Sequence, residues 1–249
     1  MLTWRPSASG GKEGDARVAS DTVRNRLWLQ LPGSVREHLS RHAKRVRLSV
    51  GQAVFHSHEV PRAVYFPETA VISRLAHLND GQTLEVGLIG ADGMAGIAVL
   101  PGTFMTYDGI VQVAGAALKV DAEAMVRELR HPGPAHELLG RYAWVLLGDS
   151  IQTAACNNFH AVGQRCARWL LMMRDVMGRD DFSITQDRLA QMLGVRRASV
   201  TKAARALQLA GAIDYKHGHL TVRTRRGLEA ASCECYRVMR ETHQRVLGS

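Results

Sequence analysis

Hydrophobic and polar positions follow two different periods along the chain. Between residues 46 and 120 the apolar residues fall in short runs, most of which alternate with polar residues, and Gly51, Pro61, Gly81 and Gly90 lie between them. The runs are Val46, Leu48 and Val50; Val54 and Phe55; Val64, Tyr65 and Phe66; Val71 and Ile72; Leu84, Val86 and Leu88; Val111 and Val113; and Leu118 and Val120. Many short strands at regular spacing predict a β sandwich or jelly roll.

Helical spacing dominates on either side of this region. Residues 24–39 carry apolar positions four apart, which predicts one helix or a pair of helical turns. Pro134 suits the first turn of a long helix, which we expect to extend roughly 36 Å, to about residue 157. The apolar face of this helix consists of Leu138, Leu139, Tyr142, Val145 and Leu146. Another helix is predicted over residues 161–177.

The most informative stretch is residues 184–211, which predicts two helices joined by a tight turn. Thr185 is placed to cap the first helix, and Gly194 to form the turn, because glycine adopts a positive φ without strain. The second helix, residues 196–210, buries Val200, Ala203, Ala204 and Leu207 and exposes Arg197, Ala198, Thr201, Lys202 and Arg205. This is the helix-turn-helix arrangement, in which the second helix enters the DNA major groove.

A helical hairpin with a solvated basic face would give a similar pattern, but a solvated face usually interleaves both signs of charge. Residues 212–215 and 219–222 are alternating runs around Gly218, which indicates a hairpin placed like the wing of a winged helix. The net charge is +9, and beyond residue 160 Lys and Arg outnumber Asp and Glu two to one. Such an uneven distribution is typical of a nucleic-acid reader joined to another domain.

Between residues 159 and 236 the sequence resembles the DNA-binding domain of the Crp/Fnr transcription regulators. The matching stretches are RWLL at 168–171, TQDRLA at 185–190, MLGVRRASVT at 192–201 and GLEA at 227–230. The resemblance implies an α+β protein with an N-terminal jelly roll of the cyclic-nucleotide-binding type, a long dimerisation helix and a C-terminal winged helix-turn-helix. Its partners would be double-stranded DNA with an inverted-repeat operator, a second copy of the chain, and RNA polymerase.

The patterns and the resemblance together divide the chain into four parts. Residues 1–22 lack periodicity and are expected to be disordered; residues 23–134 form the sensor domain, 135–160 the dimerisation helix and 161–249 the DNA-binding domain. In the family the matching long helix pairs with its twin. We therefore expect its apolar face to form the dimer interface, the alternative being a helix packed only within its own chain. The expected interface residues are Leu138, Leu139, Tyr142, Val145 and Leu146.

The basic residues of the second helix are the candidates for DNA contacts. Arg197 and Lys202 can donate to guanine O6 and N7, whereas the expected phosphate contacts, with Arg205 further along the same face, are Thr185, Arg196, Ser199 and Thr201. Ala198 stands where the family commonly has a Glu and offers only a methyl contact, so the operator need not match the best-known family site. Arg225 and Arg226, after the wing, are expected to contact phosphates at most.

The resemblance also locates an effector pocket. In ligand-binding members a Glu and an Arg-Ser pair follow a Gly-rich turn and grip a cyclic nucleotide. Here the turn ends at Gly93, the Glu position falls on Met94 beside Ala95, and the pair falls on Tyr107 and Asp108. Met cannot accept the ribose hydrogen bonds, and no Arg or Lys lies between residues 74 and 119 to offset the acid. We expect a degenerate pocket whose effector is not cyclic AMP.

Other chemistry has little support in the sequence. His56, Ser57, His58 and Glu59 look like part of a cupin metal motif, but the remaining ligands are missing, so a cupin-like metal- or ligand-binding protein is only the alternative. Cys233 and Cys235 are expected on one helix with diverging thiols, and no cysteine precedes Cys156, as an N-terminal iron–sulfur sensor would require. No common catalytic motif occurs. We expect a bacterial cytoplasmic protein without metal, cofactor, membrane contact or enzymatic activity.

Overall fold

A computed structural model describes residues 23–98 and 103–248. The expectation of disorder over residues 1–22 concerns residues outside these ranges. The described chain forms two compact units. One contains the residues up to Leu75 together with Ile89–Val145, and the other contains Ala76–Leu88 together with Leu146–Gly248.

Two short helices and seven strands make up the N-terminal part. The helices are α1 (Arg26–Gln30) and α2 (Gly33–Ser40), and the strands are β1 (Ala43–Leu48), β2 (Ala53–Phe55), β3 (Ala63–Pro67), β4 (Val71–His77), β5 (Thr83–Ile89), β6 (Asp108–Val113) and β7 (Gly115–Asp121). They pair in two sheets with the orders β1-β7-β3 and β2-β6-β4-β5. The pairs of β7 with β1 and β3, and of β6 with β2 and β4, are antiparallel.

The apolar positions of both sheets share one core. Leu48 and Ala117 from one sheet pack with Phe55, Ile72 and Val111 from the other. Alternation along a strand directs every second side chain into this space, because successive side chains point to opposite faces of a sheet. The jelly-roll prediction is therefore confirmed.

Asn25 fixes the first helix to the strands. Its side chain is fully buried, and Nδ2 donates to the carbonyls of Pro67 and Gly93, each at 2.8 Å. Its Oδ1 accepts from the backbone N–H of Trp28 at 2.9 Å and so caps α1. Burial of a polar amide is tolerated because its donors and acceptor are satisfied. The carbonyl of Gly93 belongs to the turn that the sequence assigns to the effector pocket.

Two further helices complete this part, and one of them was not expected. Helix α3 (Ala122–Leu129) is capped by Asp121, whose Oδ1 accepts from Ala124 at 3.1 Å. Helix α4 (Pro134–Phe159) begins at Pro134, as predicted, and is 26 residues long. Among the described helices, none combines the length and the apolar character that a membrane span requires.

The C-terminal part is a winged helix. It contains α5 (Val162–Met177), β8 (Asp181–Ser183), α6 (Gln186–Leu193), α7 (Arg197–Leu209), β9 (Ile213–Lys216), β10 (His219–Val222), α8 (Arg225–Ala231) and α9 (Cys235–Leu247). The wing has a third strand that the sequence did not indicate, since β8 pairs with β10 on the side away from β9. Its turn has positive φ at His217 (50°) and Gly218 (78°). The overall α+β class is the expected one.

Candidate nucleic-acid interface

Local hydrogen bonds fix the pair α6 and α7. The Oγ1 atom of Thr185 accepts from the backbone N–H of Arg188 at 3.1 Å and caps α6, which satisfies one of the donors left open in a first helical turn. Gly194 ends α6 at φ 61°, in the left-handed region that glycine adopts without penalty. Helix α7 then begins at Arg197, with Arg196 at its N-cap.

Helix α7 has one apolar and one polar face. Its buried residues are Val200, Ala203, Ala204 and Leu207. Its exposed residues include Arg197, Ala198, Thr201, Lys202 and Arg205, while Ser199 is half-buried. The side of α7 that faces solvent is thus basic, as the sequence indicated.

Two of the contacts of this face join it to α6. The Thr201 hydroxyl donates to Oε1 of Gln186 at 2.7 Å and so links α7 to α6. The guanidinium of Arg197 lies 3.5 Å from the Asp187 carboxylate, and both side chains are about two-thirds exposed, at 65% and 64%. An ion pair this exposed is weak and is readily exchanged for another anion. Within residues 23–98 and 103–248, Arg196, Lys202 and Arg205 have no ion-pair partner.

The two arginines after the wing differ from each other. Arg225 donates to Oδ1 of Asp175 at 2.7 Å and to Oε1 of Glu229 at 2.9 Å, and it also bonds the Tyr236 hydroxyl. These bonds raise the pKa of Arg225 and hold α8 to α5 and α9. Its role is structural, which does not fit the expected phosphate contact. Arg226 is exposed, and a phosphate contact stays the prediction for it.

The long helix α4 has two apolar faces, one buried and one exposed. The five expected interface residues, Leu138, Leu139, Tyr142, Val145 and Leu146, are at most 6% exposed within a single chain. They are already packed within one chain, which favours the alternative, a helix packed within its own chain, over a dimer interface at these positions. A different face of α4 is apolar and open: Trp144 is 65% exposed, Leu147 49% and Ile151 61%. Sequence reasoning missed this face because both sides of the helix are apolar.

Comparisons with known proteins agree with this geometry. Residues 164–231 match the family model described as the Crp-like helix-turn-helix domain. Over these residues the chain is similar to the DNA-binding domain of that family. No curated protein matches its sequence.

Solved transcription regulators share the fold across most of this chain's length. A Crp/Fnr-family regulator from Eubacterium rectale is 14% identical with a TM-score of 0.66, over 82% of this chain and 96% of the other. FixK2 from Bradyrhizobium japonicum is 15% identical with a TM-score of 0.66, over 77% and 98%. A Crp/Fnr-family regulator from Thermus thermophilus is 20% identical with a TM-score of 0.61, over 76% and 98%.

The residues expected at the start of the effector pocket are bonded to the long helix of the same chain. Met94 is fully buried. Its backbone N–H donates to the Tyr142 hydroxyl at 2.9 Å, and that hydroxyl donates to the Met94 carbonyl at 3.0 Å. A Cβ on Gly93 would lie 2.5 Å from the same hydroxyl, so any side chain there would displace Tyr142. Gly93, Met94 and Ala95 are therefore held by the first half of α4.

The other pocket residues have partners in the turn after β2 and in β4. The Oδ1 atom of Asp108 accepts from the backbone N–H of Ser57 at 2.7 Å, and Oδ2 lies 3.4 Å from Nδ1 of His56. The guanidinium of Arg74 lies 5.6 Å from the centre of the Tyr107 ring. Burial raises the pKa of Tyr107, and the charge of Arg74 acts against that shift.

Arg74 changes the expected charge of the region. From the sequence, no cation was expected near Tyr107 and Asp108, and the site was therefore expected to repel phosphate. The buried Arg74 comes from β4, where it pairs with Gly109 next to Asp108. A charged residue amid the buried positions of β4 was the available signal. The interpretation of His56 and His58 as part of a metal site gains no support from the structure. His56 faces Asp108, and the centres of the His58 and Phe104 rings are 5.7 Å apart.

Proposed function

We propose that this protein is a Crp/Fnr-type transcription regulator, a homodimer that binds an inverted-repeat operator in double-stranded DNA under the control of a sensor domain whose effector is not cyclic AMP. The observation that carries the proposal is the open basic face of α7. Arg196, Lys202 and Arg205 stand on it without an ion-pair partner in the described chain. Basic groups presented on the second helix of this motif supply contacts to base edges and phosphates in the major groove.

The exposed residues take different roles in this proposal. Arg197 and Lys202 contact base edges, where both can donate to guanine. Arg196, Ser199 and the Thr185 cap lie at the helix starts, where backbone N–H groups and the helix dipole favour phosphate. Thr201 is committed to Gln186, so it contributes mainly by orienting α7 on α6. Ala198 offers a methyl group and Arg205 a further phosphate contact.

Dimerisation is assigned to the open face of α4. Trp144, Leu147 and Ile151 lie at i, i+3 and i+7, which places them on one stripe of the helix. Large apolar side chains exposed on one stripe are typical of a surface that meets a partner. A twofold pair of such helices presents two copies of α7 to successive major grooves, about 34 Å apart. An activator of this architecture also contacts RNA polymerase, and it acts in the cytoplasm, where bacterial DNA lies.

Met94 and Asp108 support the proposal that the effector is not cyclic AMP. Met94 has no group that accepts from a ribose hydroxyl, and its backbone is engaged by Tyr142. Asp108 is engaged by Ser57 and His56. Arg74 adds a positive charge nearby, which is compatible with an anionic effector of another kind. In calorimetric titration we expect no heat of binding for cyclic AMP or cyclic GMP, and micromolar affinity for either would contradict this part of the proposal.

The DNA-binding proposal is tested by selecting bound fragments from bacterial genomic DNA. We expect the selected fragments to share an inverted repeat with half-sites one helical turn apart. Inserting about half a turn of DNA between the half-sites should remove most of the specific affinity, because the two copies of α7 then face opposite sides of the duplex. Equal affinity for the selected site, the altered spacing and a random duplex would contradict sequence-specific binding by a twofold dimer.

A further inference from the structure

Four side chains with metal-ligand chemistry converge in the C-terminal unit. Cys156 and His160 lie at the end of α4, and Cys233 and Cys235 lie where α8 gives way to α9. One ligand atom from each lies within 4.8 Å of every other. Among the described residues this is the one group of three or more His, Cys, Asp or Glu placed to hold a metal ion.

The local structure explains the convergence. Cys156 and His160 are four residues apart, so they project from the same face of the helical backbone. Cys233 and Cys235 do not share a helix: α8 is capped at Ser232, and Cys235 is the first residue of α9. The sequence expectation of diverging thiols assumed one continuous helix and is wrong. The break between the helices turns both thiols toward the end of α4.

The distances suit a single tetrahedral ion. The Sγ atoms of Cys156 and Cys233 are 3.5 Å apart, and Sγ of Cys235 is 3.5 Å from Nδ1 of His160. With Zn–S near 2.3 Å and Zn–N near 2.0 Å, the edges of a tetrahedral site measure about 3.5–3.8 Å. An iron–sulfur cluster places several irons and sulfides between its ligands. Four ligand atoms this close together leave room for one ion only.

We propose that Cys156, His160, Cys233 and Cys235 bind one Zn²⁺ ion in a closed tetrahedral site. The three cysteines are at most 4% exposed. Four protein ligands in a buried setting leave no position for water or substrate, which is the pattern of a structural rather than a catalytic zinc site. The ion joins the end of the long helix to the junction of α8 and α9.

Neighbouring groups complete the site as outer partners of the ligands. Nε2 of His160 lies 3.2 Å from the Glu234 carboxylate, so Nδ1 is the ring nitrogen that faces the thiols. A carboxylate on the far nitrogen orients a metal-bound histidine and raises its basicity. The side-chain amide of Gln152 donates to Sγ of Cys235 at 3.0 Å, as a donor to a metal-bound thiolate does.

The charge of the site is also compensated. Three thiolates and one Zn²⁺ leave one net negative charge, which is costly to bury without a partner. Arg165 and Arg168 are 7% and 4% exposed. Arg168 interacts electrostatically with Cys156, and Arg165 with Cys156 and Cys233. These two buried guanidinium groups, whose charge acts on the thiols, supply the opposite charge.

Metal analysis of the full chain tests the proposal. The protein is purified under reducing conditions, incubated with Zn²⁺ and passed through a desalting column. We expect one Zn²⁺ to remain per chain, and less than a tenth of that for Cys233→Ser. Cys166→Ser is the matched control, because Cys166 is equally buried but lies outside the cluster; it should retain the full amount. Replacement by Co²⁺ should give the visible bands of a tetrahedral site and thiolate-to-cobalt charge transfer.

Cys233→Ser could lose zinc because it fails to fold, so variants of the outer partners provide a second test. Glu234 is largely exposed and Gln152 half-buried, so Glu234→Gln and Gln152→Leu should fold, yet bind Zn²⁺ about 10–100-fold more weakly in a competition with a chelating dye. Unchanged affinity in both variants would overturn the site as assigned. A wild-type chain that retains no zinc under reducing conditions would also overturn the proposal. The same holds if that chain forms a Cys156–Cys233 disulfide on later exposure to air.

Discussion

Helices α4 and α7 each have an open face for which we propose a partner, and the two faces differ in how the sequence encodes them. On α7 the open side is basic and the buried side is apolar. On α4 both sides are apolar: Leu138 is buried, while Trp144 and Ile151 on another side are exposed. Hydrophobic spacing therefore predicted which face of α7 is exposed but did not reveal the exposed apolar face of α4.

The difference has a simple physical basis. An apolar stripe on a helix indicates a surface that must be buried, but it does not say by what. When the other side is polar, as on α7, the stripe must pack within the chain and the polar side is left for solvent or DNA. When the helix has two stripes, the better-filled one packs within the chain and the remaining one awaits a partner.

The strongest test of this comparison places charges on the open stripe of α4. We expect Trp144→Glu combined with Ile151→Glu to give monomers in sedimentation equilibrium, because two carboxylates from each chain would be buried against each other. Loss of the second half-site contact should lower the apparent operator affinity about 10²–10⁴-fold. Val50→Glu, at another exposed apolar position, is the control and should remain dimeric.

The buried stripe of α4 should respond in the opposite way. Leu138→Ala removes a fully packed side chain, so we expect the free energy of unfolding to fall by about 2–5 kcal/mol while the chain stays dimeric. Chemical denaturation and sedimentation measure the two effects separately. If Leu138→Ala dissociates the dimer and the Trp144 and Ile151 variant does not, the assignment of the two stripes is reversed.

The elements that the sequence predicted are those determined by local interactions. The Thr185 cap, the Gly194 turn and the strands of the wing follow from hydrogen bonds and backbone preferences within a few residues. Strand β8 and helix α3 escaped notice for different reasons. Strand β8 has three residues and exists only by pairing with β10. Helix α3 is a short helix announced mainly by its Asp121 cap.

Site residues followed the same rule. The candidates on α7 lie on one helix, and their shared face could be deduced from spacing alone. The cysteine cluster combines residues from α4 with residues near α9, and no local pattern relates Cys156 to Cys233. Arg74 approaches Tyr107 from a neighbouring strand in the same way. Sequence spacing cannot reveal a site whose parts are joined only by tertiary contacts.

On α7 and α8 the expected effects are smaller, and they separate base contacts from phosphate contacts. Arg197→Ala should weaken binding to the selected operator by about 1–3 kcal/mol and relax the preference at one base position in each half-site. Arg226→Ala should weaken specific and random duplexes alike and reduce the slope of affinity against salt by about one unit. Binding curves for both duplexes at two salt concentrations distinguish the variants. An equal loss on both duplexes for Arg197→Ala would make Arg197 a phosphate contact.

The smallest expected effect concerns Asp187, the acid that pairs with Arg197 across the two helices. Asp187→Asn removes a negative charge beside the DNA-facing guanidinium, so affinity for every duplex should rise. Because the pair is exposed, we expect a gain of only about 0.2–1 kcal/mol, which should shrink at high salt as screening increases. The same change weakens the first turn of α6, where an acid is favoured by the helix dipole, so thermal stability should fall slightly. Glu241→Gln on α9 alters the net charge equally, and among the residues that the structure describes Glu241 forms an ion pair with Arg237 alone. If it raises DNA affinity as much as Asp187→Asn does, the gain reflects total charge, and Asp187 does not restrain the reading face of α7.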